Sequence, residues 1–222
     1  MPTNFPTSVD NFTNPTANDS LNLPSHSTQH ANANDAIEAI ETFLLPNGAG
    51  NSGLIKIIPT GATGGTVAAN GDVTIGNAVS SVTVSGAFSA TYENYKIIVS
   101  GGTATGQGTL QLQLSGGATN YSYVGTAQQF GNSTVINLVA GPTSLWDNSG
   151  RISPDGNNMN VDLFSPFSTC KTPFRSTCTD YSAGGYIITT GGFHNASVSH
   201  TGFTISTVGT MTGGTIRVYG YK

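Results

Sequence analysis

Charge is what this sequence lacks most. Only 8% of its 222 residues are Asp, Glu, Lys or Arg, and the seven basic residues stand singly along the chain. A protein that grips a nucleic-acid backbone needs a basic stripe to displace counterions from several phosphates, so with a net charge of −4 no nucleic-acid partner is expected. Long apolar runs are missing too: none approaches the roughly 20 residues of a membrane span, so no membrane insertion is expected. The start MPTNFPTS has neither the basic residues nor the apolar centre of a signal peptide, which points to synthesis in a cytoplasm. Cysteine is scarce. Cys170 and Cys178 can face each other across a hairpin closed near Pro173 to Ser176, but without a secretion signal free thiols are the expected state. No His or further Cys lies close enough to them to complete a zinc site.

Catalytic signatures are also missing. There is no G-x-S-x-G elbow, no P-loop and no HExxH. A literal G-x-G-x-x-G stands at Gly48, Gly50 and Gly53, but it leads into the strand-like Leu54–Ile58 rather than out of a strand into a helix, so it reads as a flexible turn. The carboxylates of the second half are Glu93, Asp147, Asp155, Asp162 and Asp180. A glycosidase would hold two of them across a sugar; Asp147 beside Asn148, and Asp155 in Pro154-Asp155-Gly156, are better explained by turn chemistry. The expectation is a non-enzyme with no cofactor and no metal.

What is present is glycine, 29 residues of it, with abundant Ser, Thr and Asn. Such a composition cannot build a helical bundle, but it suits short strands joined by tight turns. The predicted class is all-β: an antiparallel, jelly-roll-like β-sandwich over residues 86–222, preceded by an extended N-terminal arm (1–32), one short helix (33–45) and a Gly-rich turn with a short β neck (46–85). The arm carries Pro2, Pro6, Pro15 and Pro24, with Phe5, Val9, Phe12, Leu21 and Leu23 as isolated apolar anchors for docking on another protein. In the neck, Asn70-Gly71 signals a hairpin. In the sandwich, Leu110, Leu112 and Leu114 alternate with Gln111 and Gln113, and Ile216 and Val218 alternate with Arg217 and Tyr219. Further strands are expected at Tyr95, Thr134, Met159, Gly184 and Phe203.

The helix reads as an assembly device. Ala33, Ile37, Ile40 and Leu44 recur at four, three and four, the spacing of a heptad seam, with Asn34 or Asp35 as cap and Glu38 completing a capping box. Alone, a helix this short is marginal, so the stripe either joins three chains in parallel or docks on its own domain. His26 and His30, four apart, can share a helix turn, where they serve as ligands or as hydrogen-bonding groups at the helix entry.

The run Ser25-His26-Ser27-Thr28-Gln29-His30-Ala31, followed by Asn34-Asp35-Ala36-Ile37-Glu38-Ala39-Ile40-Glu41, resembles the N-terminal segment of tailed-bacteriophage structural and tail-fibre-like proteins. There a Pro/Asn/Thr-rich arm leads through such a motif into a short helix. FSATYENYKIIVSG (88–101) and TIRVYGYK (215–222) are similar to the two ends of a C-terminal domain common in phage tail-type proteins. The resemblance implies a virion location, with an N-terminus that joins tail or capsid proteins and a C-terminal region that is displayed; it favours the homotrimer, and host-surface polysaccharide is the contact expected of the displayed sandwich. An architectural head-fibre or capsid-decoration role is the alternative. Candidate ligand-binding groups on that sandwich are Tyr121, Tyr123, Trp146, Asn148, His194 and His200, since sugars are held by aromatic faces with amide and polar side chains. Core packing is the competing role for Trp146, and exposed or turn positions for the histidines.

Overall fold

The computed structural model of the chain describes residues 25–44, 53–180 and 185–222. The docking-arm anchors Phe5, Val9, Phe12, Leu21 and Leu23 lie outside the described residues. The chain divides into two units, Met1–Ile55 with Lys222, and Lys56–Tyr221.

In the first unit, α1 (His26–Leu44) begins earlier than the expected Ala33. Gln29 N–H donates to the Ser25 carbonyl at 3.0 Å, which makes Ser25 the residue at the N-cap. Ser25 is a good cap, and Ala31, Ala33, Ala36 and Ala39 favour helix strongly enough to carry Asn34 and Asp35 in the interior. The proposed capping box of Asp35 and Glu38 is therefore not at the terminus. His26 and His30 stand one turn apart with ring nitrogens 3.1 Å from each other. No residue of α1 is buried, and Ile37, Ile40 and Leu44 are 53%, 44% and 62% exposed.

The second unit is built from strands. In chain order the strands are β1 (Leu54–Lys56), of which only Lys56 belongs to this unit, then β2 (Gly61–Thr63), β3 (Gly65–Val67), β4 (Val73–Ile75), β5 (Val79–Ser85), β6 (Asn94–Gly101), β7 (Thr103–Ala104) and β8 (Gly108–Leu114). They continue with β9 (Tyr121–Gln129), β10 (Val135–Thr143), β11 (Trp146–Ser153), β12 (Gly156–Phe164), β13 (Thr172–Thr179), β14 (Tyr186–His194), β15 (Phe203–Thr212) and β16 (Thr215–Tyr221). Pairing is antiparallel. One layer runs β10-β9-β14-β13-β12-β6-β16-β4-β3 and the other β11-β8-β15-β5-β2. They join at β12, whose first half pairs with β11 and whose second half pairs with β13. The inward rows of both layers meet in one core: Tyr95, Ile97 and Val99 from β6, Leu110, Leu112 and Leu114 from β8, Met159, Val161 and Leu163 from β12, Phe203 and Ile205 from β15. The fold is thus the expected all-β antiparallel sandwich.

Two boundaries change. Val73, Ile75, Val82 and Val84, assigned to a separate neck, are buried in the same core, because β4 pairs with β16 and β5 with β15. The predicted hairpin at Asn70-Gly71 is real, but its connection spans residues 68–72, closed by Asp72 O accepting from Ala68 N at 2.8 Å.

The expected hairpin turn at Pro173 to Ser176 is instead the middle of β13. Cys170 and Cys178 are both free, the first exposed and the second buried beside Ala127 and Ile188. Burial pushes the Cys178 thiol up to about 12. The thiolate is the nucleophile, and such a rise cuts its fraction about a thousandfold. Iodoacetamide is therefore expected to label the native chain once, at Cys170, with Cys178 reacting only after denaturation. Intact-mass measurement checks this, and double labelling of the native protein at similar rates contradicts it.

Candidate functional site

Between Lys96 and Asp147 the sequence holds no charged residue, and between Asp180 and Arg217 it again holds none. The fold brings these two stretches together. β9 pairs with β10 along one side and β14 along the other, and the second edge of β10 pairs with no strand among the described residues. In register across the three strands lie Val139, Val124 and Gly191, and two residues further along Asn137, Thr126 and Thr189. Directly opposed residues project from the same face, so the outer face of these three strands carries no charged residue of its own and alternates apolar with polar rows, while Lys171 lies over Phe193 at 5.9 Å and Arg175 of β13 opposes Gly191. Val139 is 75% exposed and Val124 61%, with Phe193 and Ile187 also exposed.

A groove of about 230 Å³ crosses the face, lined by Val124, Val139, Gly141, Gly191, Gly192 and Phe193 among others. Glycine is required beneath it: a Cβ on Gly192 would sit 2.0 Å from the Ser122 carbonyl oxygen and 2.7 Å from Tyr123 Cα. Natural edge strands are guarded by Lys, Pro or a bulge, and from Val135 to Ala140 β10 has none of these. An exposed apolar edge of this kind marks a contact surface rather than a reaction centre.

Behind the face lie most of the residues expected to hold ligand. Tyr121, Trp146 and His200 are fully buried and His194 is 1% exposed. They form a packed cluster: Trp146 stacks on Phe174 at 4.1 Å between ring centroids, meets Tyr121 edge-on at 4.9 Å, and Tyr121 lies 4.4 Å from the His194 ring. Tyr121 Oη accepts from Leu114 N and donates to the Gly117 carbonyl, and burial pushes the hydroxyl up to about 12. These side chains present no face to a dissolved sugar, and the expected binding role is corrected to core packing. Tyr123 is 8% exposed and lines the groove with little of its ring. Asn148 occupies a bulge of β11 at φ +56°, where its carbonyl accepts from Thr190 Oγ1.

His194 and His200 do meet, though not on a continuous strand. His194 closes β14 and His200 lies in the connection to β15, with His200 Nε2 3.2 Å from His194 Nδ1. Their other nitrogens contact carbonyls, His200 Nδ1 that of Ser115 and His194 Nε2 that of Thr119. A carbonyl only accepts, so a ring nitrogen in contact with one donates its N–H there, and the 3.2 Å hydrogen bond between the facing nitrogens needs a proton on one of them. Burial holds both imidazoles below the ordinary range, and for His194 the neighbouring ring adds to it.

The carboxylates are engaged in holding the sheets. Asp162 accepts from Lys96, Arg175 and Tyr221, and Asp180 from Arg151. Asp147 accepts from Thr109 Oγ1 at 2.6 Å and from Asn148 N. Among the described residues no three His, Cys, Asp or Glu side chains group as a metal site. No protein-family description, curated protein or solved structure matches the chain.

Proposed function

We propose that this chain is a structural component of a tailed-phage particle: a short trimeric fibre or appendage, anchored through its N-terminal region to tail or capsid proteins and displaying its β-sandwich towards host-surface glycans. The observation that carries the reading is α1. Nineteen residues of helix bury none of their side chains while Ile37, Ile40 and Leu44 stand exposed at heptad spacing. A helix of that length gains little from propensity alone and draws its stability from a packed apolar face, so the stripe calls for a partner. Three copies of the same stripe satisfy it, Ile at successive seam positions favouring three strands. The uncharged edge of β10 is a second association surface, and it favours the architectural alternative, a capsid-decoration or head-fibre protein with no receptor, because a lattice contact buries such an edge permanently.

The test has two arms. Light scattering on the full chain is expected to give a trimer, and Ile37→Asp with Ile40→Asp is expected to break it while circular dichroism still reports a folded sandwich. Antibody labelling of intact particles is expected to place the protein on an appendage. A stable monomer would refute the trimer, and a capsid position with normal adsorption on deletion would favour the decoration role over host binding.

A further inference from the structure

At one end of the sandwich the apolar rows of β8, β6 and β12 stop at the same level, and that of β15 stops nearby at Thr207. In β8 the inward series Leu114, Leu112, Leu110 continues to Gly108. In β6 the series Tyr95, Ile97, Val99 continues to Gly101. In β12 the series Leu163, Val161, Met159 continues to Asn157, and in β15 Phe203 and Ile205 are followed by Thr207. Register places Gly108, Ile152, Asn157 and Gly101 in one cross-strand row, and opposed residues share a face. Two glycines thus withhold side chains where the other two strands offer an amide and a hydroxyl.

Those polar groups have no partner in the protein. Asn157 is 1% exposed, and neither its Nδ2 nor its Oδ1 is hydrogen-bonded; Thr207 is 7% exposed with its Oγ1 unpaired. Leaving such groups unsatisfied is costly, so Thr207, which lies in the wall of a cavity, calls for a partner from outside the chain. Space for it exists. A cavity of about 470 Å³ opens between the β7–β8 turn and the bulge of β15, with Ile152 and Thr207 in its wall. Gly108 is in that wall too: a Cβ there would stand 3.5 Å from Ile152 Cγ1 and 3.8 Å from Thr207 Oγ1. Around the opening stand Thr105, Gln107 and Thr109, with Val208 at the rim 92% exposed. No residue lining the cavity is charged.

We propose that this notch is a binding site for one neutral sugar unit. Ile152 beside the Thr105, Thr109 and Thr207 hydroxyls and the Gln107 amide suits a ring that carries hydroxyls on its edge and C–H groups on its face, whereas the absence of charge disfavours phosphates, sialic acids and other anions. The site lies apart from the aromatic cluster in which sugar binding was first expected. It rests on the reading of the sandwich as a displayed glycan-contacting domain and gives that reading a location.

The experiment is saturation-transfer NMR, followed by calorimetry, of the full chain with glucose, galactose, mannose and N-acetylglucosamine, with sialic acid as the charged control. At least one neutral sugar is expected to bind saturably at a single site with a millimolar Kd. Thr207→Val, which removes the hydroxyl and keeps the shape, is expected to weaken it about tenfold or more. Gly108→Leu fills the notch and is expected to abolish binding. Absence of saturable binding by every neutral sugar overturns the site and leaves water as the partner of Thr207; binding unaltered in both variants overturns its location. Particle labelling separates the two readings: a chain found on particles that binds no sugar loses this site only, and a sugar-binding chain absent from particles loses the appendage role only.

Discussion

Trp146→Ala is expected to remove about 3–5 kcal/mol of folding stability, the usual cost of truncating a large buried aromatic. The residue is fully buried, stacked on Phe174 and edge-on to Tyr121, so deletion empties a space bounded by rings that cannot collapse without moving β9 and β13. Domains have only about 5–15 kcal/mol in total, which makes this roughly a fifth of the fold's stability or more. At about 2–4 °C per kcal/mol for a chain of this size, the thermal midpoint should fall by roughly 6–20 °C. Trp146→Phe should cost much less, because it keeps a ring in the stack and removes an indole N–H that has no hydrogen-bond partner. Thermal unfolding followed by circular dichroism decides the matter. A loss below about 1 kcal/mol for the alanine variant would mean that the cluster is not the packed centre it is taken to be.

Acid is expected to weaken the fold in two steps. His194 and His200 have folded pKa values below their ordinary 6.5, so as pH falls through 6.5 the unfolded chain takes up protons before the folded one. Their stabilising contribution is complete above that value and is lost progressively until the folded imidazoles titrate. A second loss follows below 3.8. There Asp72, held down chiefly by its hydrogen bond from Lys56, and Asp162, where bonds from Tyr221, Arg175 and Lys96 outweigh the upward push of burial, give up their pairs as they protonate in the folded state. Arg175 contributes least, its side chain being 70% exposed and screened by solvent. Thermal midpoints measured from pH 8 down to pH 3 should stay level to about 6.5 and then decline. The His194→Gln/His200→Gln double variant should lower the plateau and flatten the decline between pH 6.5 and 5. A midpoint unchanged from pH 7 to pH 5 in the parent chain would contradict the assignment.

Where side chains alternate by polarity the strands were legible in the sequence, as in Leu110-Gln111-Leu112-Gln113-Leu114 and Ile216-Arg217-Val218. Besides the short β2 and β7, three strands escaped, each for a physical reason. β13 turns Thr172, Phe174, Ser176 and Cys178 inward, so half of its buried face is polar and the hydrophobic period is masked. β11 carries a bulge between Trp146 and Gly150 that shifts its phase, and the polar residues at the shift look like a turn. β9 buries Tyr121 and Tyr123, which in isolation resemble a loop-borne sugar platform; only the pairing with β10 and β14 shows them to be internal. The charge-free stretches behind the apolar edge can be read from the chain directly. The notch cannot, because Gly108, Ile152 and Thr207 lie far apart in sequence and only the folded chain brings them to one opening.

The ion pairs of the sandwich have a further consequence for digestion. Lys56, Lys96, Arg151, Arg175 and Arg217, five of the seven basic residues, are paired with Asp72, Asp162 or Asp180. A trypsin-like protease cuts only after such residues, and it needs several residues of extended, unpaired backbone around the bond. All five lie in strands, and no Lys or Arg precedes Lys56. The scarcity of charge therefore leaves such a protease almost no point of entry to the folded chain, and unfolding would expose only widely spaced sites separated by long uncut stretches.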